Sequence, residues 1–204
     1  MTEKNRCLWA INVPDIYVRY HDMEWGVPVY RDQILFEFLI LEGFQAGLSW
    51  LTILKKRNNF RNAFDGFDAL KISRYNKQKI SELLQNSGII RNKHKINAAI
   101  HNARAFLEIQ SKFGSFSNYM WRFVDGLPIV NHWKCDRDIP ATSTISDQLS
   151  KDLYSRGFKF VGSTIMYAHM QAVGMVNDHL IQCFRYQEVI EHYTAESNQH
   201  ETMA

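Results

Sequence analysis

The strongest constraint on the fold is a helical periodicity of apolar residues that runs through almost the whole chain. Apolar side chains recur at intervals of three and four residues, and almost no stretch alternates at period two. Only four prolines occur, each in a predicted loop. The pattern predicts an all-α protein, with helices near residues 15–23, 32–43, 46–57, 59–65, 76–86, 93–111, 115–124, 145–156 and 161–184, the last broken near Gly174.

The domain organisation follows from length and from the composition of the C-terminal end. A chain of 204 residues can form one domain or two small lobes, and no composition shift or internal repeat marks a boundary. We predict a single domain over residues 1–187. Residues 188–204 carry four glutamates, no other charged residue, and no sustained apolar period after Tyr193. They are predicted to form a flexible acidic tail.

Composition and charge exclude several classes of protein. An apolar content of 46% is that of a packed globule rather than a disordered chain. No run of eighteen apolar residues occurs and the N-terminal segment MTEKNRC is polar, which predicts neither a membrane span nor a secretion signal, and hence a cytoplasmic protein. The net charge of the whole chain is +3. Four of the 21 acidic residues lie in the tail, so the rest of the chain is more basic than this total and favours polyanionic partners.

Three cysteines in a chain without a secretion signal argue against a disulfide framework. His179 and Cys183 are four residues apart and would share one face of the predicted helix, where both could reach one ion. Cys7 precedes His21 at a distance that a loop and a short helix can close. The four residues predict either a closed Cys₂His₂ zinc site or two satisfied core histidines with two inert thiols. Cys135 is interpreted as an ordinary loop cysteine.

A carboxylate lies in the middle of an otherwise apolar helix. Positions 35, 38, 39, 42 and 46 share one stripe, so Glu42 projects with apolar residues and should be partly desolvated. Glu37 lies on the opposite side, where the pattern predicts a solvated charge. A buried carboxylate needs a partner, so Glu42 is either a satisfied core residue or part of a binding site.

Aromatic residues crowd near Glu42 in the sequence. Tyr17, Tyr20 and His21 fall at i, i+3 and i+4, so one short helix can present them on one side. These residues predict either an aromatic core or a pocket for a flat, amino-bearing or cationic ring. The aromatic side chains concerned are Trp9, Tyr17, Tyr20, Trp25 and Trp50.

Two glycine-containing turns carry basic residues. In KISELLQNSGIIRNKHKINAAI (79–100) a turn at Gly88 joins two helices, and Arg91, Lys93 and Lys95 follow at once. A helix-hairpin-helix of this kind can hold a phosphate at the start of its second helix, although ordinary helical hairpins look alike. In SRGFKFVGSTI (155–165) basic and aromatic residues interleave, as in a nucleic-acid groove or a sealed core. The run Lys55 to Arg57 with Arg61 is predicted to form a solvated face.

Six motifs taken together resemble the type I 3-methyladenine DNA glycosylases of bacteria. The resemblance runs from about Cys7 to about Phe184, and it departs in a spacing from Cys7 to His21 that is one residue longer and in Phe44, where a glutamine is sometimes found. The motifs are Cys7, YHDMEWGVP (20–28), LEGFQAGLSWLTILKKR (41–57), GIIRNKHKI (88–96), LSKDLYSRGFKFVG (149–162) and QAVGMVNDHLIQC (171–183).

This resemblance implies a helix-hairpin-helix glycosylase fold, with two helical lobes around a cleft and one structural Zn²⁺ per chain joining the chain ends. It places the zinc ligands on Cys7, His21, His179 and Cys183. It assigns base binding to the carboxylate of Glu42, to Tyr20 and to the stacking ring of Trp50, with Trp9, Tyr17 and Trp25 around them. Gly47 and Leu48 match the tip that approaches the gap left in the DNA stack.

The implied activity is monofunctional hydrolysis that releases 3-methyladenine from alkylated double-stranded DNA and leaves an abasic site. Glu42 and Tyr20 are the predicted catalytic residues. The predicted DNA contacts are Gly47, Leu48, Gly88, Arg91, Lys93 and Lys159. The predicted protein is a monomer that uses no nucleotide cofactor and no membrane. Two alternatives stay open: a DNA-binding module that recognises damage without catalysis, and a zinc hydrolase that uses Glu24 or Glu42.

Overall fold

The computed structural model of the protein describes residues 4–201, and residues 195–201 by their backbone only. Within this range the chain forms ten α-helices and one pair of short strands. The helices are α1 Asp15–Met23, α2 Asp32–Gln45, α3 Trp50–Ala63, α4 Ala69–Ser73, α5 Lys77–Gln85, α6 Lys93–Phe113, α7 Phe116–Trp121, α8 Thr144–Ser155, α9 Ser163–Ala172 and α10 Phe184–Glu201. The strands are β1 Ile129–Val130 and β2 Val176–Asn177.

Several helices begin at a side chain that satisfies their first backbone N–H groups. The hydroxyl of Ser49 accepts a hydrogen bond from Thr52 N at the start of α3, and Asn92 Oδ1 accepts from His94 N and Lys95 N at the start of α6. Ser143 and Ser146 form a reciprocal cap at α8. These caps fix the residues at which the helices begin, and the helices in turn position the side chains of the site.

The chain divides into two compact units. The first contains residues 4–29, 127–141 and 170–201, so it joins both ends of the chain. In it β1 and β2 pair in parallel, with Ile129 opposite Val176. Close to the termini, Phe184 N donates to Asn5 O at 2.8 Å.

The second unit contains residues 30–126 and 142–169. Its centre is α2, where ten consecutive residues from Leu35 to Phe44 are buried. Helices α3, α6 and α7 pack against α2, and α4 packs against α6. A helix that is apolar on all sides is normally enclosed by other elements. The sequence of α2 has few polar residues, which agrees with its enclosed position.

The predicted helices 46–57 and 59–65 form one helix, so the predicted break at residue 58 is wrong. Gly47 has φ +81°, which ends the preceding helical path, and α3 then starts behind the Ser49 cap and continues without interruption to Ala63. The short helix α4 was not predicted, because five residues give too little periodicity to detect.

The predicted helix 161–184 differs from the structure in its second half. Helix α9 ends at Ala172, Gly174 follows with φ +70°, and the chain then forms β2. The fold is thus predominantly helical, as predicted, with a two-residue strand pair that is too short to give a period-two pattern. Beyond it, α10 extends to Glu201 although the sequence predicted no regular period after Tyr193. That residues 1–187 form a single domain and 188–204 a flexible tail stays a prediction.

No helix among residues 4–201 has both the length and the apolar character that crossing a bilayer requires.

Gly174 is expected to be intolerant of any side chain. A Cβ at this position would lie 2.3 Å from the carbonyl carbon of Val27 and 2.4 Å from Pro28 N, which are backbone atoms that cannot move aside. Gly174→Ala should lower the free energy of unfolding by more than about 3 kcal/mol, measured by urea denaturation. Gly126→Ala is the control: Gly126 also has positive φ but open space around it, so about 1 kcal/mol is expected. Equal losses would contradict the steric account.

Candidate active site and metal cluster

Four buried side chains that could hold a metal ion converge in the first unit. Their ligand atoms, one from each of Cys7, His21, His179 and Cys183, lie within 4.8 Å of one another. Cys183 Sγ is 3.5 Å from His21 Nε2 and 3.6 Å from His179 Nδ1, and Cys7 Sγ is 3.7 Å from His179 Nδ1. A tetrahedral ion with ordinary Zn–S and Zn–N bond lengths needs sulfur and nitrogen about 3.6 Å apart. The four residues therefore fit such an ion.

The imidazoles of the cluster are oriented by hydrogen bonds on their other ring nitrogens. His21 Nδ1 lies 2.8 Å from Asp22 Oδ1, and Asp22 is held in turn by two bonds from Arg6. His179 Nε2 donates to Trp25 O at 3.0 Å. Partners of this kind fix the tautomer that points the opposite nitrogen at a metal.

The two thiols of the cluster have opposite tendencies to ionise. Hydrogen bonding to Cys7, together with the two imidazoles, lowers the pKa of Cys183, whereas the same contact and burial raise the pKa of Cys7. One thiolate is thus stabilised before any ion binds, and the second needs a cation to form.

His179 and Cys183 meet for a reason other than the predicted one. They lie in a turn between β2 and α10, not on one helical face, and Cys183 N donates to Leu180 O at 2.8 Å. The prediction of a shared helix face was wrong because a four-residue spacing also suits a tight turn.

Four of the five predicted aromatic residues, Trp9, Tyr17, Tyr20 and Trp25, form a cluster in the first unit that adjoins the metal cluster, whereas Trp50 belongs to the second unit. The ring of Trp9 has its centroid 5.1 Å from Tyr17, 6.5 Å from Tyr20 and 5.0 Å from Trp25. Trp25 also makes an edge contact with His179 at 4.6 Å. Tyr20 therefore lies on α1 beside the metal-cluster residue His21, and both contact the ring of Trp9.

Glu42 is buried, as its position on the apolar stripe predicted. It is 3% exposed, and burial raises the pKa of its carboxyl to about 8. Within residues 4–201 no hydrogen bond or ion pair satisfies this carboxyl. The acid is thus a buried group whose charge has no compensation from the described part of the chain.

Glu37 shows the opposite situation, and its predicted solvation was wrong. Its carboxylate is buried and accepts from Arg57 Nε at 2.5 Å and Arg61 Nη2 at 2.8 Å. The predicted solvated face therefore fails at Arg57, which is itself buried. A helix enclosed on all sides has no solvent face, so each of its charges needs a partner. Glu37 has two partners, and Glu42 has none among the side chains that the structure describes.

Trp50 and the Gly47–Leu48 tip lie just beyond the end of α2. The ring of Trp50 stacks on Phe38 with centroids 6.3 Å apart, and Phe38 lies one turn before Glu42 on the same helix face. Leu48 is 40% exposed, and Gly47 supplies the positive φ that turns the chain. Glu42, Trp50 and the tip thus belong to one short stretch of the second unit. That they and Tyr20 serve one base stays a prediction.

The predicted hairpin consists of α5, a turn through Gly88, and α6. Lys56 Nζ donates to Ser87 O at 2.9 Å, and the side chains of Arg91 and Lys93 are exposed at the start of α6. Because Asn92 Oδ1 already accepts from His94 N and Lys95 N, these two amides are not free for a phosphate. Any phosphate contact here is expected through the side chains instead.

Lys159 lies on a rigid turn beside α6. Asn102 Oδ1 accepts from Lys159 N at 2.7 Å and Asn102 Nδ2 donates to Lys159 O at 2.9 Å, which leaves the lysine side chain exposed. The turn borders a groove of 590 Å³ whose other wall includes His94 and His101. Phe158 is fully buried, which favours the sealed core over the nucleic-acid groove for this side chain.

Asp178 and Asp147, the carboxylates nearest in sequence to the C-terminal motifs, both accept hydrogen bonds within the protein. Asp178 is fully buried and accepts from Asn131, Trp133 and Gln171 at 2.7 to 2.8 Å. Asp147 accepts a hydrogen bond from Ser163 Oγ. Cys135, as predicted, is an ordinary loop cysteine that bonds Asp138.

Sequence reasoning missed two supporting residues. Asp22 orients a metal-cluster histidine, and Lys95 is buried rather than displayed with Arg91 and Lys93. The signal for Lys95 was present: it precedes Ile96 and lies on the apolar face of α6 with Ala98, Ala99 and Asn102.

Comparison with known proteins agrees with the motifs. A family model described as methyladenine glycosylase matches residues 9–186. DNA-3-methyladenine glycosylase 1 of Escherichia coli (strain K12) is 47% identical over 181 residues, which cover 89% of this chain and 96% of that protein. A crystal structure of 3-methyladenine DNA glycosylase I has a TM-score of 0.85 at 49% identity and covers 88% of this chain and 98% of its own.

A further solved structure, which addresses 3-methyladenine recognition by 3-methyladenine DNA glycosylase I from Staphylococcus aureus, has a TM-score of 0.85 at 36% identity, covering 89% of this chain and 96% of its own. The helical architecture described above is therefore that of a DNA glycosylase. The chain belongs to the methyladenine glycosylase family, type I, and the resemblance seen in its motifs is confirmed.

Proposed function

We propose that the protein hydrolyses the N-glycosidic bond of 3-methyladenine in alkylated DNA, releases the free base and leaves an abasic site. Family membership supports the reaction, and the unpaired, buried carboxyl of Glu42 is the observation that supports the assignment of the site. The bond electrons pass to the departing purine, and water adds to the sugar. We assign Glu42 and Tyr20 to the base, with Trp50 stacking on it and Trp9, Tyr17 and Trp25 around Tyr20.

Glu42 provides a physical basis for discrimination against normal adenine. Adenine methylated at N3 is cationic in the nucleoside, whereas unmodified adenine is neutral. Because burial raises the pKa of Glu42 to about 8, its carboxyl carries a proton at neutral pH until a cation compensates the negative charge. A cationic purine can ionise it and form a charge-assisted hydrogen bond, and a neutral purine cannot. This gain offsets the few kcal/mol of extruding a base.

The metal cluster is proposed to bind one structural Zn²⁺. The donor set of two thiols and two imidazoles and the sulfur–nitrogen distances of 3.5 to 3.7 Å support zinc. The ion would cross-link segments near both ends of the described chain and hold α1, which carries Tyr20. Four protein ligands fill a tetrahedral site and leave no position for water, which argues against the zinc hydrolase alternative.

The DNA surface is proposed to include the α5–α6 hairpin, read as a helix-hairpin-helix, and the Gly47–Leu48 tip. Among the described residues Arg91, Lys93 and Lys159 form no ion pair, so their charges are available to phosphates. The partner is double-stranded DNA that contains alkylated bases, and base flipping is part of the proposal. A monomeric state and a cytoplasmic location stay predictions.

The test of the proposed activity is to incubate the protein with methylated duplex DNA and to separate the released bases by chromatography. Free 3-methyladenine and an equal number of abasic sites are expected. Salt-dependent binding to alkylated or abasic duplex without any released base would instead support a module that only recognises damage.

Lys93→Ala is expected to weaken binding to duplexes of any sequence and to reduce the slope of log affinity against log salt concentration by about one. Binding is measured by fluorescence anisotropy over a salt series. Lys151, which is exposed on α8 and has no assigned contact, is the matched control, and Lys151→Ala should leave the slope unchanged. Equal slopes for Lys93→Ala and the unaltered protein would remove the hairpin from the DNA surface.

A further inference from the structure

A buried lysine joins the start of α6 to the end of α2. Lys95 is 8% exposed, and its ammonium donates to Phe44 O at 2.8 Å and to Ala46 O at 2.6 Å. These carbonyls belong to the last turn of α2, where backbone oxygens have no partner within the helix. A positive charge at a helix C-terminus also complements the helix dipole. Lys95 therefore caps α2 from another element.

The segment that Lys95 holds contains the site. Glu42 precedes Phe44 by two residues and Ala46 by four, and the Gly47–Leu48 tip follows Ala46 directly. Within the tip Leu48 N donates to Gln45 O at 2.6 Å, and Gln45 Nε2 donates to Leu48 O at 3.4 Å. Adding a Cβ at Gly47 would meet no atom within 4 Å, so this side of the turn faces open space. The two bonds from Lys95 thus tie the residues directly before the tip to α6.

The same residue belongs to the proposed DNA-binding hairpin. Lys95 N donates to Asn92 Oδ1, the cap of α6, and the exposed Arg91 and Lys93 flank that cap. The ammonium also lies 5.9 Å from the ring of Phe160, whose φ of +56° belongs to the Lys159 turn. Such a backbone angle is rare for a bulky residue and is kept where the surroundings enforce it.

A buried ammonium is an expensive way to join two helices. Burial lowers the pKa of Lys95, which shows that its surroundings disfavour the charge. An apolar side chain of similar length would join the two helices at lower cost. What it could not do is fix two specific carbonyl oxygens at hydrogen-bonding distance, and this directional constraint suits a role in geometry rather than in stability.

We propose that Lys95 is a positioning residue, which holds the Gly47–Leu48 tip and Glu42 in a fixed geometry relative to the hairpin, so that DNA bound by the hairpin meets a correctly placed tip and acid. The inference rests on the proposed function. It assigns Lys95 no contact with DNA or base. Its role is expressed in extrusion and release of the base, and not in general affinity for duplex DNA.

The test compares Lys95→Met with Lys95→Arg in three measurements: the dissociation constant for an undamaged duplex over a salt series, the single-turnover rate of 3-methyladenine release at saturating enzyme, and the melting temperature. For Lys95→Met we expect undamaged duplex binding within about twofold of the unaltered protein, an unchanged salt slope, and a release rate at least tenfold lower. Lys95→Arg keeps a cation that can donate to both carbonyls and should recover most of that rate.

Lys112→Met is the matched control, because Lys112 is exposed near the other end of α6 and should change none of the three measurements. A Lys95→Met protein that releases base at the unaltered rate would overturn the proposal. So would a salt slope reduced by one, since Lys95 would then be an ordinary phosphate contact. If Lys95→Met does not fold, the decision passes to Lys95→Gln, whose amide nitrogen lies one bond closer to the backbone than the lysine ammonium and therefore cannot reach both carbonyl oxygens. A folded Gln variant with an unaltered rate, or an Arg variant as slow as the Gln variant, also overturns the proposal.

Failure of this inference can be told apart from failure of the proposed function. If the unaltered protein releases no 3-methyladenine, the function is wrong. If the unaltered protein releases it and the Lys95 variants do so equally well, only the positioning role is wrong.

Discussion

Glu42→Gln is expected to reduce the release of 3-methyladenine about 100-fold while it stabilises the folded protein at neutral and alkaline pH. The amide keeps the shape of the side chain but cannot take up a negative charge, so the charge-assisted hydrogen bond to the base is lost. Such bonds contribute roughly 1.5–3 kcal/mol, which corresponds to a loss of about one to two orders of magnitude. Release is measured under single-turnover conditions, and stability is measured by urea denaturation.

The stability effect has a defined pH dependence. The folded pKa of Glu42 is about 8, above the ordinary value of 4.5, so between these pH values the folded state binds a proton that the unfolded chain has released. Stability contributed by the protonated acid is complete below about pH 4.5 and is lost as the pH rises through 8. Glutamine does not titrate, so its advantage over Glu42 should grow across this window to roughly 4 to 5 kcal/mol. A difference that is independent of pH would contradict the raised pKa.

Glu37→Gln is the matched control. Glu37 is on the same helix as Glu42, but its carboxylate has partners. It removes the charge that Arg57 and Arg61 share, and loss of one partner from a buried pair costs roughly 3 kcal/mol. The two substitutions should therefore change stability in opposite directions above about pH 6. The same sign for both would show that Glu42 is also a paired structural acid.

Cys183→Ser is expected to lower the melting temperature by roughly 10 °C or more. Structural zinc sites contribute several kcal/mol to folding, and for a chain of this size each kcal/mol corresponds to about 2–4 °C. Metal analysis should find one zinc per chain in the unaltered protein and less in the variant. Base release at a temperature where the variant stays folded should decline only slightly, because the four cluster residues are not among those that we assign to the base.

Cys135→Ser provides the comparison for that experiment. Cys135 lies in a loop, donates a hydrogen bond to Asp138 and does not belong to the metal cluster, so its removal should change neither metal content nor melting temperature. A Cys183→Ser protein as stable as Cys135→Ser, or an unaltered protein that keeps its stability after metal removal, would show that the four side chains are only a packed core.

The predominantly helical fold and the four residues of the metal cluster could be predicted from the sequence. The partners of the charged residues could not. Helices α1, α2, α5, α6 and α8 were found within a few residues, because their apolar period is long. The gap between 46–57 and 59–65 was misplaced, since only the Ser49 cap and the positive φ of Gly47 decide where α3 begins. The cap and the backbone angle depend on local geometry, which the spacing of apolar residues does not reveal.

The two glutamates of α2 show the same limit more clearly. Periodicity assigns one to an apolar stripe and the other to the opposite side, but α2 is enclosed on all sides, so both are buried. Which of them is neutralised depends on Arg57 and Arg61, contributed by α3, and on Lys95 pairing with carbonyls instead of with Glu42. These are tertiary pairings, and no spacing within one segment encodes them.

The role of Glu42 is best tested by the single-turnover rate of 3-methyladenine release by folded Glu42→Gln protein at a concentration that saturates alkylated duplex. We expect a rate about 100-fold below that of the unaltered protein, with undamaged duplex bound equally well by both. A folded glutamine variant that releases the base at the full rate would contradict this role, because an uncharged side chain would then suffice where we infer a carboxylate.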